Sequence, residues 1–268
     1  MRILEYFIYL ILKILSILPQ RIQYFLGRFL GIVFYMSFKE RREISRWNLK
    51  KCFPEKSETE INFILKQSFI RLGESLFEFL NAFWASNKKL ERLIINFNDL
   101  KKTTNNLDPS KGKLLLFMHT PNLDFVVRAA SLFMPVSGMA RPQSNKIVDN
   151  LFKASRKKFT ERIFDPKEIL ELLNYLKIGK TCLYAPDQDY GYKNSIFVNF
   201  FGHKALTVKF PYIAKRRAKC DVYIFSLEKK GFKYEANLEK ILLDGTDMEK
   251  DLRQINYKIE EIISKRPE

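Results

Sequence analysis

The sequence predicts an α/β protein: a mixed, largely parallel central sheet flanked by helices, with an N-terminal membrane-associated helical segment. Three observations lead there. Short apolar runs at Lys113–Met118, Gly138–Arg141, Thr181–Ala185 and Asp221–Leu227 alternate with longer stretches of helical spacing, the pattern of a parallel sheet with crossover helices. Charged or titratable residues follow those runs at equivalent places: His119 and Asp124 after the first, Asp187 and Asp189 after the third. Ligands of open α/β sheets sit at such carboxyl ends. Residues 1–40, ahead of all this, are unusually apolar.

In chain order, residues 3–18 are greasy but carry Glu5 and Lys13, and fall short of the ~20 residues that span a bilayer. On a helical wheel Arg2, Glu5, Tyr9, Lys13, Ser16 and Gln20 make a thin polar seam, about 80° wide at 100° per residue. The next stretch repeats the design: Arg21, Arg28, Tyr35 and Lys39 share one side and apolar residues fill the rest. Helices of this kind lie in a membrane interface or pack on a domain, and the basic run Lys39–Arg46 favours anionic lipid. Membrane association is the expectation, as a surface anchor or a single span. No small-residue cleavage site follows, so no signal peptide is expected.

Glu58–Trp84 has helical spacing, with Ile61, Ile64, Leu65, Leu72, Leu76 and Leu80 on one face. Residues 98–112 are polar and turn-rich, a surface connection. A helix is expected from Asn122, and another over Asn145–Phe159, strongly basic through Lys153, Arg156, Lys157 and Lys158. Asp165-Pro166 reads as the cap and first residue of a helix ending at Gly179. Tyr212–Arg217 belongs to a further helix, and Thr246–Glu249 to a capping box opening the last one. No linker-like stretch interrupts residues 41–268, which form one domain behind the N-terminal segment 1–40.

Lys and Arg number 47 against 30 Asp and Glu, a net charge of +17, which fits an acidic protein, an anionic membrane surface or nucleic acid as partner; part of it is solvated lysine. No nucleic-acid motif is present. Cys52, Cys182 and Cys220 have no metal-ligand spacing and read as reduced thiols, none placed as a nucleophile. No metal or cofactor is implied.

His119 is one of two histidines, and histidine alone has an unperturbed pKa suited to proton transfer near neutrality. A carboxylate can fix its tautomer and stabilise the imidazolium. His119 with Asp124 five positions on is therefore an acid/base candidate lacking a nucleophile of its own, though His-x-x-x-x-Asp is a short pattern that also occurs by chance.

Taken together, the motifs resemble the late (secondary) acyltransferases of lipid A biosynthesis over nearly the whole chain. The resemblance rests on Arg41–Pro54 with its Trp-Asn-Leu and Cys-Phe-Pro, on His119…Asp124, on Arg141-Pro142, on Tyr184-Ala-Pro-Asp-Gln-Asp-Tyr-Gly191 and on Phe197–Phe201. It implies an acyltransferase that takes a fatty acyl chain from acyl-acyl carrier protein to a hydroxyl of a Kdo-bearing lipid A precursor, at the cytoplasmic face of the bacterial inner membrane. His119 and Asp124 match the catalytic dyad, with Asp124 orienting His119, and Arg156 matches an arginine needed for activity. Asp187 matches a motif aspartate read as structural or acceptor-positioning; Arg141 and Asp189 match further substrate-binding positions. The basic clusters Arg156–Lys158 and Lys204, Lys209, Lys215–Arg217 then suit an acidic carrier and a phosphorylated acceptor. The sequence departs from the family at Asp124, often Glu, at Gln143, usually Asn, and in lacking the family's Gln-Tyr-x-Trp-x-His-x-Arg-Phe-like tail after Glu268. Another glycolipid or glycerolipid acceptor, or an impaired homologue, stays open.

Overall fold

The computed structural model describes residues 3–141 and 146–268. It opens with helices α1 (Ile3–Ile17), α2 (Gln20–Ser37) and α3 (Lys39–Cys52). Part of the polar seam turns inward: Ser16 is buried and Gln20 Nε2 donates to the Phe232 carbonyl at 2.6 Å, while Lys13 stays exposed and Tyr9 sits edge-on to Trp84 at 5.6 Å. Ile17, Phe25, Phe29, Met36 and Trp47 face outward, each more than half exposed. Among the described residues no helix is long and apolar enough to cross a membrane.

Helix α4 (Glu58–Trp84) has the span its spacing predicts, and begins at a capping box between Ser57 and Glu60. It receives α2 through three glycines. A Cβ on Gly73 would stand 2.1 Å from the Gly27 carbonyl oxygen and 2.4 Å from the Gly31 nitrogen, so only glycine permits this approach. Buried Gln23 stitches the end of α1 to α4, donating to the Leu15 and Ser16 carbonyls at 2.9 and 3.0 Å and accepting from Asn81 Nδ2 at 2.9 Å.

Short helices α5 (Asn87–Leu93) and α6 (Phe97–Asn105) follow. Helix α6 falls where a surface connection is expected; it packs Phe97, Leu100 and Thr104 inward and is otherwise polar, which hides its period. The body then runs β1 (Lys113–Leu116), α7 (Leu123–Phe133), β2 (Ser137–Met139), α8 (Lys146–Arg156), β3 (Ile163–Phe164), α9 (Ile169–Lys177), β4 (Thr181–Tyr184), β5 (Ser195–Phe200), β6 (His203–Val208), α10 (Phe210–Ala218), β7 (Asp221–Lys230), β8 (Lys233–Ile241) and α11 (Met248–Lys265).

Strand order is β3-β2-β4-β1-β7-β8, parallel throughout except for the antiparallel β7–β8 pair. Alternate residues feed two cores, as strand geometry requires. Leu114, Leu116, Cys182, Tyr184, Val222 and Ile224 pack with α9, α10 and α11. Leu115, Leu183, Tyr223 and Phe225 pack with α5, α6 and α7. β5 and β6 form a separate hairpin.

Two helix starts differ from expectation. Asp165 accepts from the Lys167 amide at 2.9 Å and donates its own amide to Glu168 at 2.7 Å; this makes a turn, and the helix begins at Ile169. The last helix is capped by Asp247, which accepts from the Lys250 amide at 3.1 Å, while the Thr246 hydroxyl donates to Asp244 at 2.7 Å. Cys52, Cys182 and Cys220 are free thiols, the last two buried; burial pushes Cys220 up to about 11, away from nucleophilic use.

Candidate active site at the sheet edge

β1 and β4 are neighbours, and their exits diverge. The chain leaving β1 passes through α7 to β2 on the far side of β4; the chain leaving β4 passes through β5, β6 and α10 to β7 on the far side of β1. Such a parting opens a crevice at the carboxyl ends. The register decides what meets there. Leu116 lies opposite Tyr184, and the Phe117 amide donates to the Tyr184 carbonyl at 3.2 Å. Three residues beyond each partner stand His119 and Asp187.

Asp187 clamps the histidine twice. Its Oδ1 lies 2.7 Å from His119 Nδ1, and its Oδ2 accepts from the His119 backbone amide at 2.8 Å. A proton on Nδ1 satisfies the first contact and leaves the lone pair on Nε2. The hydrogen bonds of His119 thus run to Asp187 and not to Asp124. Asp124 lies within the first turn of α7, where a carboxylate favours the helix dipole. It accepts from Arg156 Nε of α8 at 2.8 Å instead. Arg156 also stacks over Phe152 at 4.8 Å.

Arg141 lies over the Tyr190 ring at 5.2 Å. Asp189 accepts from the Gly191 amide at 2.6 Å, inside a turn that needs the positive φ of Gly191. Pro142 and Gln143 lie outside the described residues. The basic clusters separate. Lys157 and Lys158 follow Arg156 directly and are exposed. Lys215–Arg217 form the last turn of α10, which delivers the chain to the start of β7, where the Asp221 amide meets the Gly112 carbonyl. They therefore sit at the sheet edge opposite His119.

A cavity of about 690 Å³ opens on His119 and Asp187, with Asn122, Arg71, Glu78 and Lys229 also in its wall. Asn122 Oδ1 accepts from the Thr120 hydroxyl at 2.9 Å. Asp124, Arg156, Arg141 and Asp189 do not line it among the described residues. The charged wall is a buried network that sequence reasoning missed. Arg71 donates to Glu74 at 2.6 Å and lies 3.6 Å from Glu78; Lys229 donates to Glu74 at 2.6 Å and stands 3.6 Å over the Tyr24 ring. The Tyr234 hydroxyl bonds both Tyr24 and Glu78. Burial pushes Lys229 down to about 8 and holds the Tyr24 and Tyr234 hydroxyls well above their usual range. A signal existed: Arg71, Glu74 and Glu78 are three and four apart, one stripe of a helix.

A histidine held by a carboxylate at the carboxyl edge of a parallel sheet, beside a cavity with both apolar and charged walls, is an arrangement chemically able to move a proton. Comparison with known proteins fixes the family. The model of the bacterial lipid A biosynthesis acyltransferase family matches residues 1–268, and the chain belongs to that family. It is 30% identical to the lipid A biosynthesis lauroyltransferase of Escherichia coli over 186 residues, 69% of this chain and 60% of that protein. A lipid A biosynthesis acyltransferase of Haemophilus influenzae is 25% identical over 265 residues, 96% of this chain and 82% of that protein. The Escherichia coli lipid A biosynthesis myristoyltransferase is 23% identical over 254 residues, 91% and 76% respectively. Against the Escherichia coli lauroyltransferase and palmitoleoyltransferase the chain spans about three fifths of the relatives' length.

Proposed function

We propose that the chain is an acyltransferase that moves a fatty acyl group from the thioester of acyl-acyl carrier protein to a hydroxyl of a Kdo-bearing lipid A precursor. The double clamp of Asp187 on His119 carries this reading. Nε2 takes the proton of the acceptor hydroxyl as that oxygen attacks the thioester carbonyl. The tetrahedral oxyanion collapses, the C–S bond breaks, and the leaving thiolate takes the proton back from His119. No acyl-enzyme forms. General-base help of this kind supplies roughly 10²–10⁴-fold.

Asp187 fixes the ring and stabilises the imidazolium. Asn122, a residue of the cavity wall, supplies an oxyanion donor through its side-chain amide, whose Oδ1 is already engaged by Thr120. One such donor is worth about 3 kcal/mol in the transition state. Arg156 and Asp124 act as positioning residues that brace the start of α7, and with it the Thr120–Asn122 turn. Arg141 and Asp189 contact the acceptor from the neighbouring loops.

The exposed apolar side chains of α1 and α2 seat the N-terminal segment 1–40 on the cytoplasmic face of the inner membrane, where residues 41–268 work as the catalytic domain. An apolar face this extensive on a protein surface marks an interaction site, and the cationic Arg21, Arg28 and Lys39 suit anionic headgroups. The carrier docks by Lys157 and Lys158, which share the edge of the site, and not by Lys215–Arg217.

The test is transfer of labelled acyl chains from acyl-acyl carrier protein to a tetra-acylated lipid A precursor by membrane-bound protein. His119→Ala is expected to lower transfer by roughly 10²–10⁴-fold with unchanged folding. Equal transfer by both proteins removes His119 as the base. Transfer only to a different acceptor, such as a lysophospholipid, replaces the acceptor named here.

A further inference from the structure

The cavity at His119 is forked, because β7 outruns β1. Their pairing ends at Leu116 opposite Ile224, while Phe225–Lys230 continue, paired with β8 alone. Beyond that point the β7–β8 ribbon has two faces free of β1, and the cavity touches both. On the face of Leu227 and Lys229 it meets the charged groups Arg71 and Glu78 of α4. On the face of Ile224 it meets Met118, Phe200, Ile259, Ile262 and Ile263, all part of the core beneath α11.

We propose that the branch between β7 and α11 holds the acyl chain being transferred, and that Ile262 and Ile263 set the chain length the enzyme accepts. The proposal rests on the acyl-transfer reading of the same site. An alkyl chain in the α4 branch would strip the remaining solvation from Arg71, Glu78 and Lys229, a costly displacement for buried charges. The α11 branch also carries charge, but its Glu228, Glu239 and Arg266 are paired and solvent-accessible, while Met118, Phe200, Ile224, Ile259, Ile262 and Ile263 give its wall methylene against methylene.

Its direction also fits. Lys258 of α11 pairs at 2.5 Å with Glu239, the residue opposite Ile224, and Arg266 pairs at 3.4 Å with Glu228 and donates to the Lys229 carbonyl at 2.9 Å. Helix α11 therefore runs alongside β7, outward from the level of the β1 end. Ile259, Ile262 and Ile263 lie on one stripe of it, advancing roughly one helical turn, about 6 Å. A chain whose carbonyl sits at His119 passes Met118 and Ile224, runs along this stripe, and meets the Arg266–Glu228 pair at the rim. A polar pair across the path of a methyl terminus is a stop.

The experiment offers an equimolar mixture of acyl-acyl carrier proteins of graded chain length to the membrane-bound protein and reads the product lengths. Ile262→Trp and Ile263→Trp should move the preferred chain shorter, each methylene that no longer fits costing about tenfold or more in relative rate. Ile262→Ala and Ile263→Ala should move it longer. Lys229→Met, on the other branch, should leave the length profile as in wild type. A profile unchanged by all four isoleucine variants overturns the proposal. So does a profile that shifts with the acceptor's chain lengths, which would give the branch to the acceptor. Loss of transfer by wild type itself is failure of the acyl-transfer reading, and a second measurement then decides the site. A fatty acyl-pantetheine with a terminal diazirine should cross-link to residues 262–266; labelling of α4, or no site-selective labelling, overturns the proposal without any turnover.

Discussion

Two carboxylates at the same sheet edge meet two basic partners, with opposite results. Asp187 holds His119 with side chains 21% and 32% exposed, on the wall of the cavity. Asp124 holds Arg156 with side chains 8% and 16% exposed, away from the cavity wall. Under the acyl-transfer reading proposed above, the first pair, open to the cavity, is the one that handles the proton. The second is sealed between α7 and α8, where a permanent charge such as guanidinium can only hold position. Chemistry is thus assigned by access, since both carboxylates are aspartates of similar reach.

The comparison breaks most sharply on activity. Asp187→Asn should lower transfer by roughly 10²–10⁴-fold, because the ring loses its orientation and the imidazolium its counter-charge. The unfolding midpoint should move less than for a buried pair, since a partly exposed ion pair contributes only about 0–1 kcal/mol. Asp124→Asn should show the converse: a clear loss of stability with a smaller loss of transfer from the folded fraction. Parallel kinetic and denaturation measurements on the two variants decide this, and an exchange of their behaviours would return the dyad to Asp124.

The sealed pair sharpens on stability. Arg156→Ala leaves a buried carboxylate unpaired, at a cost of about 3–5 kcal/mol. Replacing both partners, Asp124→Leu with Arg156→Met, should recover most of that loss, because apolar residues of similar volume often do as well as a buried ion pair. Urea denaturation in detergent measures all three proteins. A double variant no better than Arg156→Ala alone would mean that the pair fixes α7 in a way packing cannot replace.

How much of this was legible follows from range. The parallel sheet, helix α4 and the position of His119 are written in local periodicity, and the sequence shows them. The partner of His119 is a matter of register between β1 and β4, sixty-eight residues apart, which no local spacing encodes. The five-residue step from His119 to Asp124 reads as a dyad, but a turn and the start of a helix intervene and carry Asp124 round to α8. The equal three-residue offsets of His119 and Asp187 from their strand ends were the available signal. Helix α6 was hidden by its polar composition. The charged stripe of α4 was hidden because its apolar face satisfied the helical pattern first.

That stripe gives the smallest of the expected effects and the subtlest contrast with Asp124–Arg156. Lys229, unlike Arg156, can shed its charge. In the folded protein it loses its proton near pH 8, whereas an unfolded lysine keeps it to about 10.4. Between those values the unfolded chain binds more protons, so stability rises with pH. Tyr24 and Tyr234 act in the opposite sense. Burial keeps them protonated, while unfolded tyrosines ionise from about pH 10, so stability falls again beyond that point. The wild type should therefore show a shallow stability maximum between about pH 8 and 10. Lys229→Met should lose the rise and keep the fall, and should cost little at pH 7 because Arg71 still pairs with Glu74. Urea midpoints across this range test the assignment. A rise that persists in Lys229→Met would place the titration on another group and leave Lys229 charged throughout, as permanent a fixture as Arg156.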